Sequence, residues 1–202
     1  MTNNNDPKAL SSLINCLSAM EENASLLYKT FSEKIEIPLL KSFLQSIAED
    51  SHKHSILLKS VFESMGNKEK TKDCAKKAGE VWTMIEAFYK EISAKEKIVD
   101  SELAQLSEKL AYLESIMGEE YYVFVQLKTL QAMVNEINQI YHVDLASVKT
   151  VFSHIINDEE RHREILEKIK NIVDNAVKVT DNSPAVRYQN PDSWIRSLPP
   201  TS

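Results

Sequence analysis

Carboxylate and imidazole side chains recur at short helical spacing in two places along this 202-residue chain. Toward the C-terminal end, Glu159 and His162 form a clean E-x-x-H motif, and residues 49–54 (EDSHKH) form a less regular counterpart. Side chains three or four positions apart share one face of a helix, so a carboxylate and an imidazole at this spacing can hold one metal ion together. The two segments therefore predict metal coordination from helices.

Proline placement indicates long helices that carry these segments. Pro7 and Pro38 suit first helical turns and the other four prolines lie at or beyond Pro184, so nothing forbids helix between residues 39 and 183. Apolar periodicity predicts helices over about residues 7–33, 38–65 and 100–141, a crossover helix around 81–92, and a last helix capped by Asp144. Two hairpins joined by one crossover predict an all-α, ferritin-like four-helix bundle with an additional crossover helix.

Polar side chains interrupt the apolar stripes of three of these helices. They are Glu21 in the first, Glu120 at a heptad core position in the third, and Glu159 and His162 in the last. A buried, unpaired carboxylate is costly, so several that converge need cations or protons to offset their charge. A pair of metal ions meets this need, and carboxylates with one or two imidazoles suit iron or manganese, with zinc as a further candidate.

The second helix leaves its ligands open. Its stripe places residues 50, 51 and 54 inward, which favours His54 as the imidazole but puts Ser51, a poor iron ligand, at the carboxylate position of the motif. Asp50 can substitute from one full turn away. A shifted register would instead use Glu49 and His52. The site is therefore expected to be asymmetric or partly degenerate.

Over residues 8–175 the chain resembles the rubrerythrin-like branch of the ferritin-like superfamily. The resemblance rests on one segment in each bundle helix: residues 19–24 (AMEENA) extending to Tyr28, 47–54 (IAEDSHKH), 117–122 (MGEEYY) and 158–162 (DEERH). It implies ligands at Glu21, His54, Glu159 and His162. In the third helix the family's Gly-Glu register selects Glu119, whereas the heptad pattern selects Glu120, which we favour. Together with Asp50, the expected metal ligands are thus Glu21, Asp50, His54, Glu120, Glu159 and His162.

The resemblance also implies a function. Similar proteins use a di-iron centre to reduce peroxide or oxidise ferrous iron, so the expected function is that of an oxidoreductase holding two iron ions and acting on peroxide, dioxygen or ferrous iron. The chain departs from such proteins in its displaced second-helix carboxylate and in lacking a rubredoxin-like cysteine module. The alternative is a non-enzymatic bundle with a single-metal or vestigial site, serving in metal binding or assembly.

Composition excludes several other classes of protein. The net charge is −6 and lysines alternate with acids, which argues against nucleic acid as a partner. No apolar run approaches the roughly 18 residues of a membrane span, and the polar start shows no signal peptide, so a cytoplasmic protein is expected. Cys16 and Cys74 lie far apart without a C-x-x-C motif, so neither a disulfide framework nor a cysteine-ligated metal module is expected.

The C-terminal composition predicts a boundary near residue 179. Residues 1–178 are expected to form the bundle, and residues 179–202 a proline-containing tail in which Trp194 and Leu198 can dock on the bundle or on a neighbouring subunit. The predicted third helix outreaches the first hairpin, which would leave apolar surface uncovered. A homodimer or larger homo-oligomer is therefore expected.

Overall fold

A computed structural model describes residues 7–66, 72–126 and 145–182, and within them the side chains of residues 11–66, 72–119 and 148–173. These described residues contain five helices: α1 (Pro7–Glu33), α2 (Pro38–Ser64), α3 (Cys74–Ser93), α4 (Asp100–Gln126) and α5 (Leu145–Asn182). The predicted continuation of the third bundle helix to residue 141, the Asp144 cap and the tail anchors Trp194 and Leu198 lie outside the described residues. Helix α5 continues to Asn182, past the boundary expected near residue 179.

The helix ends follow from local backbone chemistry. Pro38 lies in the first turn of α2, after Ile37 in an extended conformation with φ −73° and ψ 110°. Proline lacks the N–H that would be unpaired there, and its fixed φ already suits a helix. Gly66 follows α2 with a φ of 78°, a left-handed conformation that glycine adopts without steric cost.

The helices pair as two hairpins connected through α3. Helices α1 and α2 run antiparallel, and the Ser18 and Ser25 hydroxyls of α1 donate to the carbonyls of Ser55 and Ala48 in α2 at 2.9 and 2.8 Å. Helices α4 and α5 pack along each other, while α3 contacts α1 and α4. The expectation of an all-α bundle with a crossover helix is confirmed.

A continuous apolar core occupies the interior between the helices. Its largest fully buried side chains include Tyr28 and Phe31 of α1, Leu44 and Leu58 of α2, and Phe152 of α5. Burying each such side chain stabilises the fold by roughly 1.5–3 kcal/mol relative to exposure. No helix within the described residues is long and apolar enough to cross a membrane.

A disulfide bond joins Cys16 of α1 to Cys74 at the start of α3, with a Cα–Cα distance of 5.0 Å. The expectation of no disulfide was therefore wrong. The sequence separation of 58 residues concealed the pairing, because α3 returns along α1 and brings the two positions together. The bond fixes the crossover helix to the first hairpin.

Candidate metal centre

The first hairpin contributes one carboxylate and one imidazole to the bundle interior. Glu21 lies on the apolar stripe of α1 and His54 on that of α2, and both are fully buried. The Nδ1 atom of His54 lies 3.6 Å from Glu21 Oε2 and 3.4 Å from Glu159 Oε1 of α5. Helices α1, α2 and α5 thus each direct one potential ligand to a common point.

The second hairpin contributes a second group of ligands. Glu114 of α4 and His162 of α5 are buried, with His162 Nδ1 at 3.2 Å from Glu114 Oε2. Glu159 belongs to this group as well. In each of the two triads, Glu21/His54/Glu159 and Glu114/Glu159/His162, one ligand atom from every residue lies within 4.8 Å of the others.

Glu159 is the only member common to both triads, so its carboxylate lies between two potential metal positions. Helix α4 approaches Glu159 closely at Gly118, where an added Cβ atom would lie 3.4 Å from the Cβ of Glu159. The two histidine rings are also neighbours, with 6.2 Å between the ring centroids of His54 and His162. The described geometry is that of two adjacent sites that share one carboxylate.

Residues 50–54 of α2 and 158–162 of α5, which we call the α2 motif and the α5 motif, both read Asp, two variable residues, a basic residue and His. The outer nitrogen of each motif's histidine contacts the aspartate of the other motif. His54 Nε2 of the α2 motif lies 2.9 Å from Asp158 Oδ2, and His162 Nε2 of the α5 motif lies 3.4 Å from Asp50 Oδ2. Each aspartate therefore orients the imidazole of the other helix so that Nδ1 faces the interior.

The basic residues of the two motifs close the outer side of the site. Lys53 Nζ lies 2.7 Å from Asp50 and 3.2 Å from Asp158, and Arg161 Nη2 lies 2.5 Å from Asp50 and 3.0 Å from Asp158. The two cations balance the two aspartates, so this outer layer adds no net charge to the centre.

Without bound metal ions, the electrostatics of the centre favour the protonated forms of Glu159 and of the two histidines. Burial raises the pKa of Glu159 well above its ordinary value, and the Glu114 and Glu21 carboxylates raise it further. Burial opposes the charged form of His162, but hydrogen bonds to Asp50 and Glu114 outweigh it and raise the pKa of His162 to about 9. Burial also opposes the charged form of His54, but the nearby Glu21 and Asp158 carboxylates outweigh it and raise the pKa of His54. The protein interior thus stabilises added positive charge at this point.

Tyr28 of α1 holds the α4 carboxylate in place. Its buried hydroxyl donates a short hydrogen bond to Glu114 Oε1, which leaves Oε2 toward His162. Burial alone would raise the pKa of Glu114, but the His162 imidazole outweighs it and the pKa is lowered. Tyr28 therefore contacts a candidate ligand and also fills the core.

The structure brings together four of the six residues expected to bind metal: Glu21, His54, Glu159 and His162. Asp50 differs from the expectation, because its carboxylate contacts Lys53, Arg161 and the outer nitrogen of His162 and belongs to neither triad. The side chains that the alternative register of α2 would use lie on a helix face that points away from the centre. Glu49 and His52 are exposed, and His52 Nδ1 lies 2.9 Å from Glu22 on the surface.

Helix α4 contributes a carboxylate that was not expected. Glu114 lies beside Glu159 and His162, whereas Glu119 is exposed and the side chain of Glu120 lies outside the described residues. A signal for Glu114 was present in the sequence, because it stands four residues after Leu110 and three before Met117, both fully buried. The heptad assignment, continued toward residue 141, selected Glu120 instead, and that choice stays a prediction.

The donor set fits a pair of metal ions. His54 Nδ1 and both carboxylate oxygens of Glu159 are buried without a hydrogen-bond partner among the described residues. Orphaned polar atoms of this kind are costly unless something binds them. Three carboxylates and two imidazoles with inward Nδ1 atoms are donors that iron, manganese and zinc accept.

Comparison with known proteins agrees with this geometry. A family model described as Rubrerythrin matches residues 17–125, which span most of α1 and α4 and all of α2 and α3. No curated protein and no solved structure matches the chain. The matched region includes Glu21, His54 and Glu114. The α5 residues that complete both triads lie beyond it.

Proposed function

Because the chain belongs to the rubrerythrin family, within the ferritin-like superfamily, we propose that it holds two iron ions at the candidate metal centre and acts as an oxidoreductase on peroxide, dioxygen or ferrous iron. The position of Glu159 in both triads carries this proposal. A carboxylate has two oxygens and can bridge two ions, and each ion would have one further carboxylate and one imidazole of its own.

The surrounding residues give this site its properties. Two ferrous ions, when bound, supply two electrons, which suffice to reduce one peroxide to two waters with the uptake of two protons. Asp158 and Asp50 hold the Nε2–H groups of His54 and His162, so that each Nδ1 can coordinate a metal ion once it has lost its proton. Burial of both triads excludes bulk water.

Metal content and peroxide consumption test the proposal together. The purified chain, loaded anaerobically with ferrous iron and desalted, should retain two iron ions per chain by elemental analysis. Addition of hydrogen peroxide should then oxidise both ions and consume one peroxide per chain, while metal-free protein consumes none. Retention of no iron, or of iron that peroxide does not oxidise faster than free ferrous ion, would contradict it.

Ser51 favours a second candidate function, that of a metal-binding or assembly bundle with a single-metal or vestigial site. This buried serine stands in the α2 motif where the α5 motif has Glu159, so α2 supplies no carboxylate from that position. One tightly held ion per chain, without peroxide consumption, would select this function over the first.

The proposal includes a cytoplasmic, homo-oligomeric protein. Leu39 and Val99 are 57% and 50% exposed, apolar surface that a second copy can cover. Light scattering should give a mass of at least two chains. The Cys16–Cys74 disulfide is unusual for a cytoplasmic protein, because cytosolic thiol systems keep most cysteines reduced. Alkylation during lysis that traps both cysteines as free thiols would support the cytoplasm. Recovery of the intact disulfide would place it in an oxidising compartment.

A further inference from the structure

The α2 and α5 motifs make reciprocal contacts, in which the aspartate of each lies against the histidine of the other. Asp158 contacts both His54 and Lys53, and Asp50 contacts His162 and Arg161, so the first, fourth and fifth positions of each motif have equivalent environments. The second positions, Ser51 and Glu159, are therefore structural counterparts. Both are buried, with relative exposures of 1% each.

The side chain of Ser51 is too short to serve as a ligand in the way that the Glu159 carboxylate can. Its hydroxyl donates to the carbonyl of Ile47 in its own helix at 3.2 Å. Beyond its Cβ, a glutamate carries a –CH2–COO⁻ group that serine lacks, and this missing group has the size and charge of an acetate ion. Asp50, the nearest carboxylate in sequence, does not replace it, because Lys53 and Arg161 hold it in the outer layer.

The carboxylates of the centre also do not balance the charge of two divalent metal ions. Two divalent ions bring four positive charges, whereas the two triads contain three carboxylates, and the outer aspartates are balanced by Lys53 and Arg161. One positive charge would remain in a buried site. An uncompensated buried charge is strongly unfavourable, so a further anion would be stabilised there.

We propose that Ser51 leaves one bridging position of the di-metal centre open to a small carboxylate-type anion, which binds opposite Glu159 and completes the charge. This inference rests on the proposed function, since the anion would be held by the two metal ions. The Ser51 hydroxyl is the protein's hydrogen-bond donor to this anion when it releases Ile47. Ser51 thus leaves open to a small carboxylate-type anion a position that a glutamate would occupy permanently.

Acetate is the probe that tests this inference. Zinc-loaded protein is first shown by elemental analysis to hold two ions, and acetate is then titrated by calorimetry. The unmodified chain should bind one acetate per pair of ions. Ser51→Glu should still bind two ions but bind acetate at least 10-fold more weakly, because its own carboxylate fills the position.

Ser60→Glu is the matched control. Ser60 is an exposed serine of α2 whose hydroxyl also donates to the carbonyl four residues earlier, so this variant adds the same charge to the same helix outside the centre. Its acetate affinity should be unchanged. If Ser51→Glu does not fold, Ser51→Asp supplies the shorter carboxylate, and it too should weaken acetate binding.

Failures of the two proposals are distinguishable. Absence of two ions in the unmodified chain would overturn the proposed function. Two ions without acetate binding, or acetate binding that Ser51→Glu and Ser51→Asp leave unchanged, would overturn the open bridging position while leaving the di-metal centre intact.

Discussion

The α2 motif and the α5 motif share an aspartate, a basic residue and a histidine, and the histidine of each contacts the aspartate of the other, yet only the α5 motif contributes a carboxylate common to both triads. Asp50 and Asp158 each lie against the histidine of the opposite helix. On their buried face the motifs differ at the second position, where α2 has Ser51 and α5 has Glu159. Both helices thus orient an imidazole, whereas only α5 provides a carboxylate that can bridge the two sites.

This difference makes the two halves of the centre unequal in what they depend on. His54 and His162 each have an aspartate of their own, so loss of one outer contact should affect one half. Glu159 serves both triads, and no second carboxylate from α2 shares its role. We therefore expect substitutions to range from loss of both ions to small effects on a single ion.

The largest expected effect is that of Glu159→Ala. It removes the one carboxylate common to both triads, so affinity for both metal ions should fall by more than the roughly 10- to 100-fold that follows loss of an outer contact. Elemental analysis after desalting should find neither ion. Circular dichroism should show the helices retained, because the variant also removes a buried carboxylate whose oxygens have no hydrogen-bond partner among the described residues.

The adjacent Glu160 provides the control for this variant. Its side chain is 59% exposed and pairs with Arg163 on the surface, so Glu160→Ala should leave both ions in place. Retention of two ions by Glu159→Ala would show that Glu159 does not bridge, and the comparison of the two motifs would lose its basis.

The next largest effect is that of pH on metal affinity. Hydrogen bonds to Asp50 and Glu114 outweigh burial and raise the pKa of His162 to about 9, so in metal-free protein the imidazole is protonated below that pH. Coordination through Nδ1 needs the neutral ring, so metal must displace this proton. Affinity should fall about 10-fold for each pH unit below 9 from this proton alone, or roughly 100-fold between pH 8 and pH 6.

Zinc avoids oxidation and allows this to be measured by competition with a chelator. Calorimetry in two buffers of different ionisation enthalpy should also detect at least one proton released per pair of ions. An affinity that stays constant between pH 8 and pH 6, after correction for the chelator, would mean that His162 is already neutral in the metal-free protein.

Most of the fold was predictable from the sequence because helix formation here depends on local patterns. Pro7 and Pro38 begin helices where expected, and the apolar stripes place Glu21 and His54 in the interior. Single polar residues on otherwise apolar stripes are strong signals, since burial without a partner is costly. The stripe of α2 accordingly selected His54 rather than His52.

Apart from Glu114, the features that were missed depend on contacts between helices, which periodicity does not encode. Glu114 was missed because the heptad register of α4 was set by residues toward 141, although Leu110 and Met117 frame it on the buried face. The contact of Asp158 with His54 joins positions 104 residues apart, and the disulfide joins Cys16 to Cys74. None of these pairs has a local sequence signature.

Replacement of histidines in α2 should distinguish its two possible registers. His54→Ala removes the imidazole of the Glu21 triad and should lower metal affinity at least 10-fold. His52→Ala should change the affinity little, because His52 is 55% exposed and contacts Glu22 outside the centre. Chelator competition measures both, and a larger effect from His52→Ala would show that the shifted register of α2 is the functional one.

The smallest expected effect tests whether each aspartate supports the histidine of the other motif. Asp158→Asn weakens the acceptor for His54 Nε2 and should lower metal affinity about 10-fold in the Glu21 triad. Combined with His162→Ala, which leaves that triad intact, it should still cost this factor. Combined with His54→Ala it should cost little more than His54→Ala alone, since its partner is already gone. Asp158 and His162 belong to the same motif, so coupling to His162 instead would show that each motif supports its own histidine, and the exchange between α2 and α5 would be wrong.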